Sequence, residues 1–461
     1  MRKFWTQPHH LVGALLCALS VVAVAAAIVG CVQPPGLDDG GVGNSGLTGK
    51  YVGSEACRLC HTRIHEDWED TLHAEALETL EAIGQDEGTS CLACHTVGFG
   101  EPGGFVDRAT TNDLAGVGCE SCHGPGKDHI QNVSDESLRP PKDISAELCG
   151  RCHEDVHHPT FEQWEESGHA EVTEHVAEYF NEGGSFNRCG VCHSGDFRLL
   201  AVIGDEVVGD DHLEGVDPGQ MNGVTCAICH YPHGRTGNAA NPDPGRDFQL
   251  RYPQVANPTP SSTEAANTNP DRYNICGQCH HSRGKTWEEL ERPPHHSLQA
   301  NVYTGEMPVP DGTAALVPTQ RSIHAFVPEQ CSTCHMFRKD FESELAPAIS
   351  GHTFEVSFDG CSAATCHPSP ADAEGVTDAL HASVQARLDA IEARLGDPST
   401  WEYSEEGGPL EIDQAALSDE IKQIRFLYYY VLNDGSLGVH NPQYVDAILD
   451  KVEDLLDDEG L

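Results

Sequence analysis

The chain has 461 residues, 38% of them apolar and 7% aromatic, and its formal net charge is −46. This acidity disfavours nucleic acid as a partner, because phosphate binding needs a basic face. So few apolar residues would also favour disorder, but the 20 cysteines and 27 histidines follow an ordered pattern. We therefore expect a core that depends largely on something other than aliphatic side chains.

The N-terminal segment is typical of an exported protein. Arg2 and Lys3 precede an apolar stretch over residues 11–29, which ends close to Cys31. This order predicts a lipoprotein-type signal peptide over residues 1–31, in which Cys31 becomes the lipidated mature N-terminus and attaches the protein to a membrane.

Two other interpretations of this segment stay open. The apolar stretch is long enough for an uncleaved membrane anchor, and cleavage near residues 25–27 would release the chain without a lipid. All three interpretations place the body outside the cytoplasm, in the periplasm, at the outer membrane or on the cell surface. Residues 32–50 are rich in glycine and predict a flexible tether.

Nine pairs of cysteines lie between residues 51 and 370, and each is followed directly by a histidine. Eight of these motifs read Cys-x-x-Cys-His, and the ninth has four residues between its cysteines. In chain order the pairs are Cys57/Cys60, Cys91/Cys94, Cys119/Cys122, Cys149/Cys152, Cys189/Cys192, Cys226/Cys229, Cys276/Cys279, Cys331/Cys334 and Cys361/Cys366. The histidines that follow them are His61, His95, His123, His153, His193, His230, His280, His335 and His367. They are numbered below as the first to the ninth motif.

The spacing of these motifs is that of covalent haem attachment. Two thiols add to the vinyl groups of one haem, and the adjacent histidine binds the iron from one side. Zinc ribbons and disulfide frameworks also use paired cysteines, but neither needs a histidine directly after each pair. The sequence therefore predicts about nine haem c groups, with the nine motif histidines as proximal iron ligands.

Sixteen other histidines follow the N-terminal segment, enough to give every iron a second ligand. Their sequence contexts predict seven distal ligands, namely His73, His129, His169, His233, His324, His352 and His440. Two further pairs leave the choice open: His157 or His158, and His295 or His296. The remaining histidines are interpreted as surface or packing residues: His65, His175, His212, His281 and His381.

The stretch from Tyr51 to His73 resembles the start of the nitrifier-type tetrahaem cytochromes c, and the segment 118–129 continues that likeness. The region 429–444 is similar to the closing helices of pentahaem nitrite reductases and of octahaem hydroxylamine oxidoreductase relatives. The resemblance implies low-potential haems with two histidine ligands, in stacked and perpendicular pairs.

The same likeness implies that His73, His129 and His233 are distal ligands, usually to a haem other than the nearest in sequence. Three features depart from those enzymes: nine attachment sites, a lipoprotein-type start, and the lack of any Cys-x-x-Cys-Lys motif.

We expect a mainly α fold with extensive loops, organised around the haems over residues 51–370. Glycine and proline are frequent there, so short helices should lead into each motif and long loops should join them. Residues 197–208 predict a hairpin.

The last ninety residues, 371–461, change character. Apolar residues recur at helical spacing in three stripes, which begin at Leu380, Leu417 and Val445. They predict a C-terminal segment of three helices that caps the haem region. A surface for a second copy of the chain is the alternative role for these stripes.

An electron carrier is the function that these features favour. Electrons would enter at one exposed haem and leave at another, and the partners would be other redox proteins, with basic ones attracted by the acidic surface. The alternative is an oxidoreductase that acts on a nitrogen or sulfur compound at one haem without a distal ligand. The sequence assigns no catalytic residue.

Overall fold

The computed structural model describes residues 49–238, 247–252, 274–363 and 366–461. The predicted signal peptide, residues 1–31, and nearly all of the predicted tether lie outside these ranges. Within them the backbone forms helices, turns and four isolated antiparallel bridges, and no strand. The predicted mainly α fold with extensive loops is confirmed.

Most helices are only one or two turns long. In chain order they are α1 Ser54–Arg58, α2 Thr62–Glu69, α3 Ala76–Ile83, α4 Thr89–His95, α5 Arg108–Thr111, α6 Cys119–His123, α7 Lys127–Gln131, α8 Ala146–Gly150, α9 Thr160–Glu165, α10 Glu174–Asn181, α11 Phe186–His193, α12 Gly195–Phe197, α13 Cys226–Cys229, α14 Gln299–Thr304, α15 Cys331–His335, α16 Phe358–Ala363, α17 Pro370–Leu395, α18 Glu411–Gln414, α19 Asp419–Leu432 and α20 Pro442–Glu459. Short 3₁₀ segments cover Asn112–Leu114, Glu136–Leu138, Pro218–Gln220, Cys276–Gln278, Ile323–Phe326, Pro398–Thr400 and Ser404–Glu406. None of the helices in the described ranges is long and apolar enough to cross a bilayer.

Each motif starts inside one of these short helical segments. Residues three apart lie on the same face of a helix, so the two thiols of a motif point to the same side where both cysteines lie in the segment. In the first, fourth, seventh and ninth motifs the second cysteine lies beyond the last residue of that segment.

The predicted hairpin over residues 197–208 is wrong. The chain continues from α12 into a π-helix, Arg198–Ile203. Ser194 caps α12 by accepting a hydrogen bond from the Phe197 N–H at 3.2 Å, and the buried guanidinium of Arg198 donates to the Val191 carbonyl at 2.9 Å. The capped start of α12 and the buried contact of Arg198 thus favour a helix here, despite the β propensity of the apolar residues that follow.

The three predicted C-terminal helices are confirmed as α17, α19 and α20. Their apolar stripes pack against one another, so that Leu388, Ile391, Ile424 and Leu427 are almost fully buried in a single cluster. The stripes therefore serve packing within the chain.

The C-terminal helices also pack against the motif region. Trp287, Leu298, Val302 and Val317 join the same buried cluster. They come from the chain between the seventh and eighth motifs, and this contact holds the helical segment against the rest of the protein.

Arg425 joins these two parts of the chain. Its guanidinium is fully buried, donates to Gln414 Oε1 at 2.6 Å and to the carbonyl oxygens of Trp401 and Glu289, and lies over the ring of Tyr403 at 4.1 Å. A buried cation of this kind is tolerated only when hydrogen bonds replace its hydration.

Replacing Arg425 by methionine is expected to lower the free energy of unfolding by about 2–5 kcal/mol, because four acceptors, among them the Glu402 carbonyl, lose their donor. The decrease in Tm can be measured by calorimetry on the haem-loaded protein. Arg63→Met is the matched control, since the Arg63 side chain is almost fully exposed beside Asp67, and it should leave Tm nearly unchanged. Equal decreases for the two variants would contradict this account of Arg425.

Candidate cofactor-binding site

One large cavity runs through the motif region. Its volume is about 3120 Å³, several times the roughly 300–1,000 Å³ of an ordinary small-molecule pocket. All nine motif histidines and at least one cysteine of every motif line it, with apolar side chains such as Ile64, Leu72 and Ile130 between them. The cavity therefore combines thiols, imidazoles and apolar walls on a scale that suits several large, flat, apolar groups.

Six motif histidines face the ring of a second histidine at a nearly constant separation. The ring centroids lie 6.1 Å apart for His153 and His73, 6.0 Å for His123 and His233, 6.1 Å for His280 and His169, 6.4 Å for His193 and His295, 6.3 Å for His230 and His352, and 6.2 Å for His335 and His440. An imidazole nitrogen binds a metal at about 2 Å, which puts the centroids of two rings on opposite sides of one ion roughly 6 Å apart. The gap between the facing rings therefore fits one iron atom in each pair.

Two related segments show how the fold positions such a facing histidine. Trp68 and Trp164 lie five residues before His73 and His169, and each indole N–H donates to a carbonyl at 3.0 Å, from Val117 and Val224 respectively. The N–H groups of the same two valines donate to the carbonyls of His73 and His169, each at 2.8 Å. Each histidine is thus fixed against the chain that enters the third or the sixth motif.

Comparison with known proteins agrees with this site. The family model described as "Cytochrome c554 and c-prime" matches residues 56–124. Cytochrome c-554 of Nitrosomonas europaea is 31% identical over 134 residues, which are 22% of this chain and 57% of that protein. The c-type polyheme cytochrome OmcB of Geobacter sulfurreducens is 25% identical over 273 residues, 57% of this chain and 29% of that protein.

A solved structure shares the fold as a whole. The outer cell wall cytochrome OcwA superposes with a TM-score of 0.58 at 20% identity, over 88% of this chain and 100% of that one. The motifs, the facing histidines and these relatives lead to one identification. The chain is a multihaem c-type cytochrome. Haem c is therefore its cofactor, and the residues that line the cavity fit it.

The curated relatives are matched only in part. The cytochrome spans 57% of the length of cytochrome c-554 and 29% of the length of OmcB.

Five histidines of the cavity are oriented by their outer nitrogen. The Nδ1 atoms of His95, His123, His230, His324 and His335 lie 2.6–2.9 Å from backbone carbonyl oxygens, those of Ala76, Pro141, Phe248, Val439 and Phe354. A carbonyl only accepts hydrogen bonds, so Nδ1 carries the proton and Nε2 is left free for a metal.

Burial lowers the pKa of these imidazoles. The pKa of His153, His169 and His352 falls to about 4, and that of His295 falls to about 2 because the charge of Arg283 adds to burial. The rings are therefore neutral at pH 7, which is the form that binds a metal.

His440 is an exception among these histidines. Burial opposes its charged form, but the charge of Asp434 and its hydrogen bond outweigh burial and raise the pKa of His440.

The structure separates the two pairs that the sequence left open. His295, rather than His296, faces His193. His158 lines the cavity near His95, whose charge adds to burial in lowering the pKa of His158. The ring centroid of His158 also lies 6.5 Å from that of His153, which His73 approaches more closely at 6.1 Å. His157 instead packs its ring on Phe341, with centroids 4.1 Å apart.

Two predicted distal ligands lie on the cavity without a measured ring pair. His324 is close to His367, whose charge adds to burial in lowering the pKa of His324. His129 and His61 both line the cavity, and Nδ1 of His129 is buried without a hydrogen-bond partner.

The histidines interpreted as structural make contacts with protein groups. His65 is buried beside Glu55 and Glu69, His175 packs on Tyr179, His212 stacks on Phe186, His281 accepts from the Arg283 N–H, and His381 Nε2 lies 3.1 Å from the Ser436 carbonyl. None of the eighteen motif cysteines is in a disulfide, so all are available for haem attachment.

Cysteines of different motifs lie close enough in six places for one thiol to shift the pKa of the other. These neighbouring pairs are Cys57 and Cys119, Cys94 and Cys152, Cys149 and Cys226, Cys192 and Cys279, Cys276 and Cys331, and Cys334 and Cys361. Cys122 is also close enough to Cys149, and Cys229 to Cys279, for the neighbour to add to burial in raising the pKa of each thiol to about 11. All nine motifs thus form one connected series, whose order differs from that of the sequence.

Proposed function

We propose that the cytochrome carries electrons along nine haems, each iron held by two histidines, outside the cytoplasm. Haem iron supplies reversible one-electron chemistry when it is bound. The observation that carries the proposal is the set of six facing histidine pairs, because an iron held between two such rings would have no open coordination position.

The proposed ligand set uses every motif histidine once. The proximal and distal partners are His61 with His129, His95 with His158, His123 with His233, His153 with His73, His193 with His295, His230 with His352, His280 with His169, His335 with His440, and His367 with His324. Six of these pairs rest on ring separations and two on electrostatic proximity. The pair of His61 and His129 follows by elimination, and it is supported by the contact of Cys57 with Cys119, because His129 follows Cys119 closely.

We infer the order of electron transfer from which motifs lie next to each other. The first, third, fourth, sixth, seventh, eighth and ninth motifs form a continuous series, here called the main line. The second motif touches the fourth and the fifth touches the seventh, so these two form side branches. Electrons would enter at one end of the main line and leave at the other.

The acidic surface and the N-terminal segment bear on the partners and the location of the cytochrome. A net charge of −46 attracts basic redox partners and speeds their encounter at low salt. We propose export, with lipidated Cys31 as the membrane attachment. The relative OcwA is an outer cell wall cytochrome, and a position at the cell surface would suit an electron carrier of this kind.

Electron paramagnetic resonance of the oxidised protein, with haem content measured in parallel, tests the proposal. Nine haems per chain with only low-spin signals are expected, because two imidazole ligands give low-spin ferric iron. A stoichiometric high-spin signal that changes on addition of nitrite or hydroxylamine would overturn it in favour of an enzyme with one open site. Ala substitution of both Cys361 and Cys366 should lower the haem count by one and serves as the calibration of that count.

A further inference from the structure

The outer nitrogen of His440 has a partner of a different kind from the others. Nδ1 of His440 lies 2.7 Å from Oδ1 of Asp434, a carboxylate whose side chain is completely buried. Five other histidines of the site use a neutral backbone carbonyl at the same position. One iron site therefore has a buried negative charge directly behind its ligand.

The loop between α19 and α20 is built to hold this carboxylate. The Ser436 hydroxyl donates to Oδ2 of Asp434 and accepts from the His440 N–H at 3.1 Å. The Gln299 side chain donates to the Asp434 carbonyl at 3.3 Å. The carboxylate, the serine and the histidine thus fix one another on one short segment.

A carboxylate that accepts the outer N–H of a ligating imidazole raises the basicity of the other nitrogen. A more basic ligand, together with a buried negative charge, favours Fe(III) over Fe(II). We infer that Asp434 is a positioning residue that lowers the reduction potential of the haem of the eighth motif below that of its neighbours. This rests on the proposed function, in which His335 and His440 bind that iron.

The position of the eighth motif on the main line determines how a lower reduction potential would affect electron transfer. The eighth motif touches the seventh through Cys276 and Cys331, and the ninth through Cys334 and Cys361. A haem of low potential between them is an uphill step on the main line. Asp434 would therefore control how readily electrons pass between the ninth motif and the rest of the series.

Asp434→Asn tests the inference, because asparagine keeps the shape and an acceptor oxygen but removes the charge. In a redox titration followed by electron paramagnetic resonance, the Fe(II)/Fe(III) ratio of one haem at a fixed potential should rise about tenfold, or about 59 mV for one electron. The g values of the same haem should move, and the other eight should not change. Asp446→Asn is the control, since Asp446 is exposed and pairs with Arg387.

Two further variants keep the outcomes distinct. His440→Ala should convert one haem to high spin; if it does not, the ligand assignment in the proposed function fails. If His440→Ala behaves as expected but Asp434→Asn moves no potential, the inference alone fails. If Asp434→Asn loses haem, Ser436→Ala tests the inference instead. Without the hydroxyl donor to Oδ2 the Asp434 carboxylate is more basic, so the reduction potential of the same haem should fall. An unchanged potential would refute the role of Asp434.

Discussion

Replacing His352 by methionine is expected to slow electron passage through the cytochrome by about tenfold or more, whereas the same change at His295 should have little effect. Methionine in place of a histidine ligand raises the potential of a haem. His352 faces His230 of the sixth motif, which lies on the main line between the fourth and seventh motifs. A high-potential haem there would hold electrons and delay their onward transfer.

His295 provides a matched control for this experiment. It faces His193 of the fifth motif at nearly the same separation, but the fifth motif touches only the seventh among the thiol contacts found in the described residues. The haem of that site should still rise in potential, while the route between the ends of the main line stays intact. Stopped-flow mixing with an electron donor and a basic acceptor protein would measure the throughput of both variants. Equal slowing, or slowing by His295→Met alone, would show that the proposed order of the motifs is incorrect.

A chain made without haem is expected to lose nearly all fixed structure in the described part of the motif region, residues 49–238, 247–252 and 274–363. The apolar walls of the cavity, about 3120 Å³ in volume, would then be exposed to water instead of packing on haem. Each Å² of apolar surface left exposed forfeits roughly 25 cal/mol, and a typical domain is stable by only roughly 5–15 kcal/mol.

Hydrogen exchange on the haem-free chain, expressed in the cytoplasm without its N-terminal segment, measures this effect. We expect rapid exchange throughout the motif region and partial protection in α17, α19 and α20, because those helices bury apolar side chains against one another. The haem-loaded protein is the control, with protection in both regions. Protection of the motif region without haem would show that side-chain packing alone suffices to fold it.

The sequence predicts the C-terminal helices well, because the apolar spacing that specifies each helix lies within the helix itself. The stripe that starts at Leu380 fixes most of α17, but the first ten residues of that helix carry no apolar stripe. They depend on a cap, in which Ser369 accepts from the Asp372 N–H at 3.1 Å, and on Pro370 in the first turn. The π-helix after α12 was not predicted because its contacts are not local. Its first residue, Arg198, is held by Gln278, 80 residues further along the chain.

The motifs could be read from the sequence, but the facing pairs could not. Covalent attachment needs two cysteines and a histidine in one short segment, so its spacing is visible in any single sequence. The second histidine comes from a distant segment, as His73 does for His153 and His169 for His280. Asp434 was missed because nothing in the spacing of an aspartate and a histidine six residues apart indicates a buried hydrogen bond.

The facing pairs also bring residues that are far apart in the sequence close together. The six measured pairs span residues 73–153, 123–233, 169–280, 193–295, 230–352 and 335–440, and each span overlaps the next. With iron bound between each pair as proposed, they would act as cross-links that close loops of 80 to 122 residues, each worth about 4–5 kcal/mol in chain entropy by the estimate used for disulfides. A single peptide-bond break anywhere between residues 73 and 440 would then leave two fragments still joined through metal, so the proposed ligation would make the motif region and its C-terminal helices one interlocked unit.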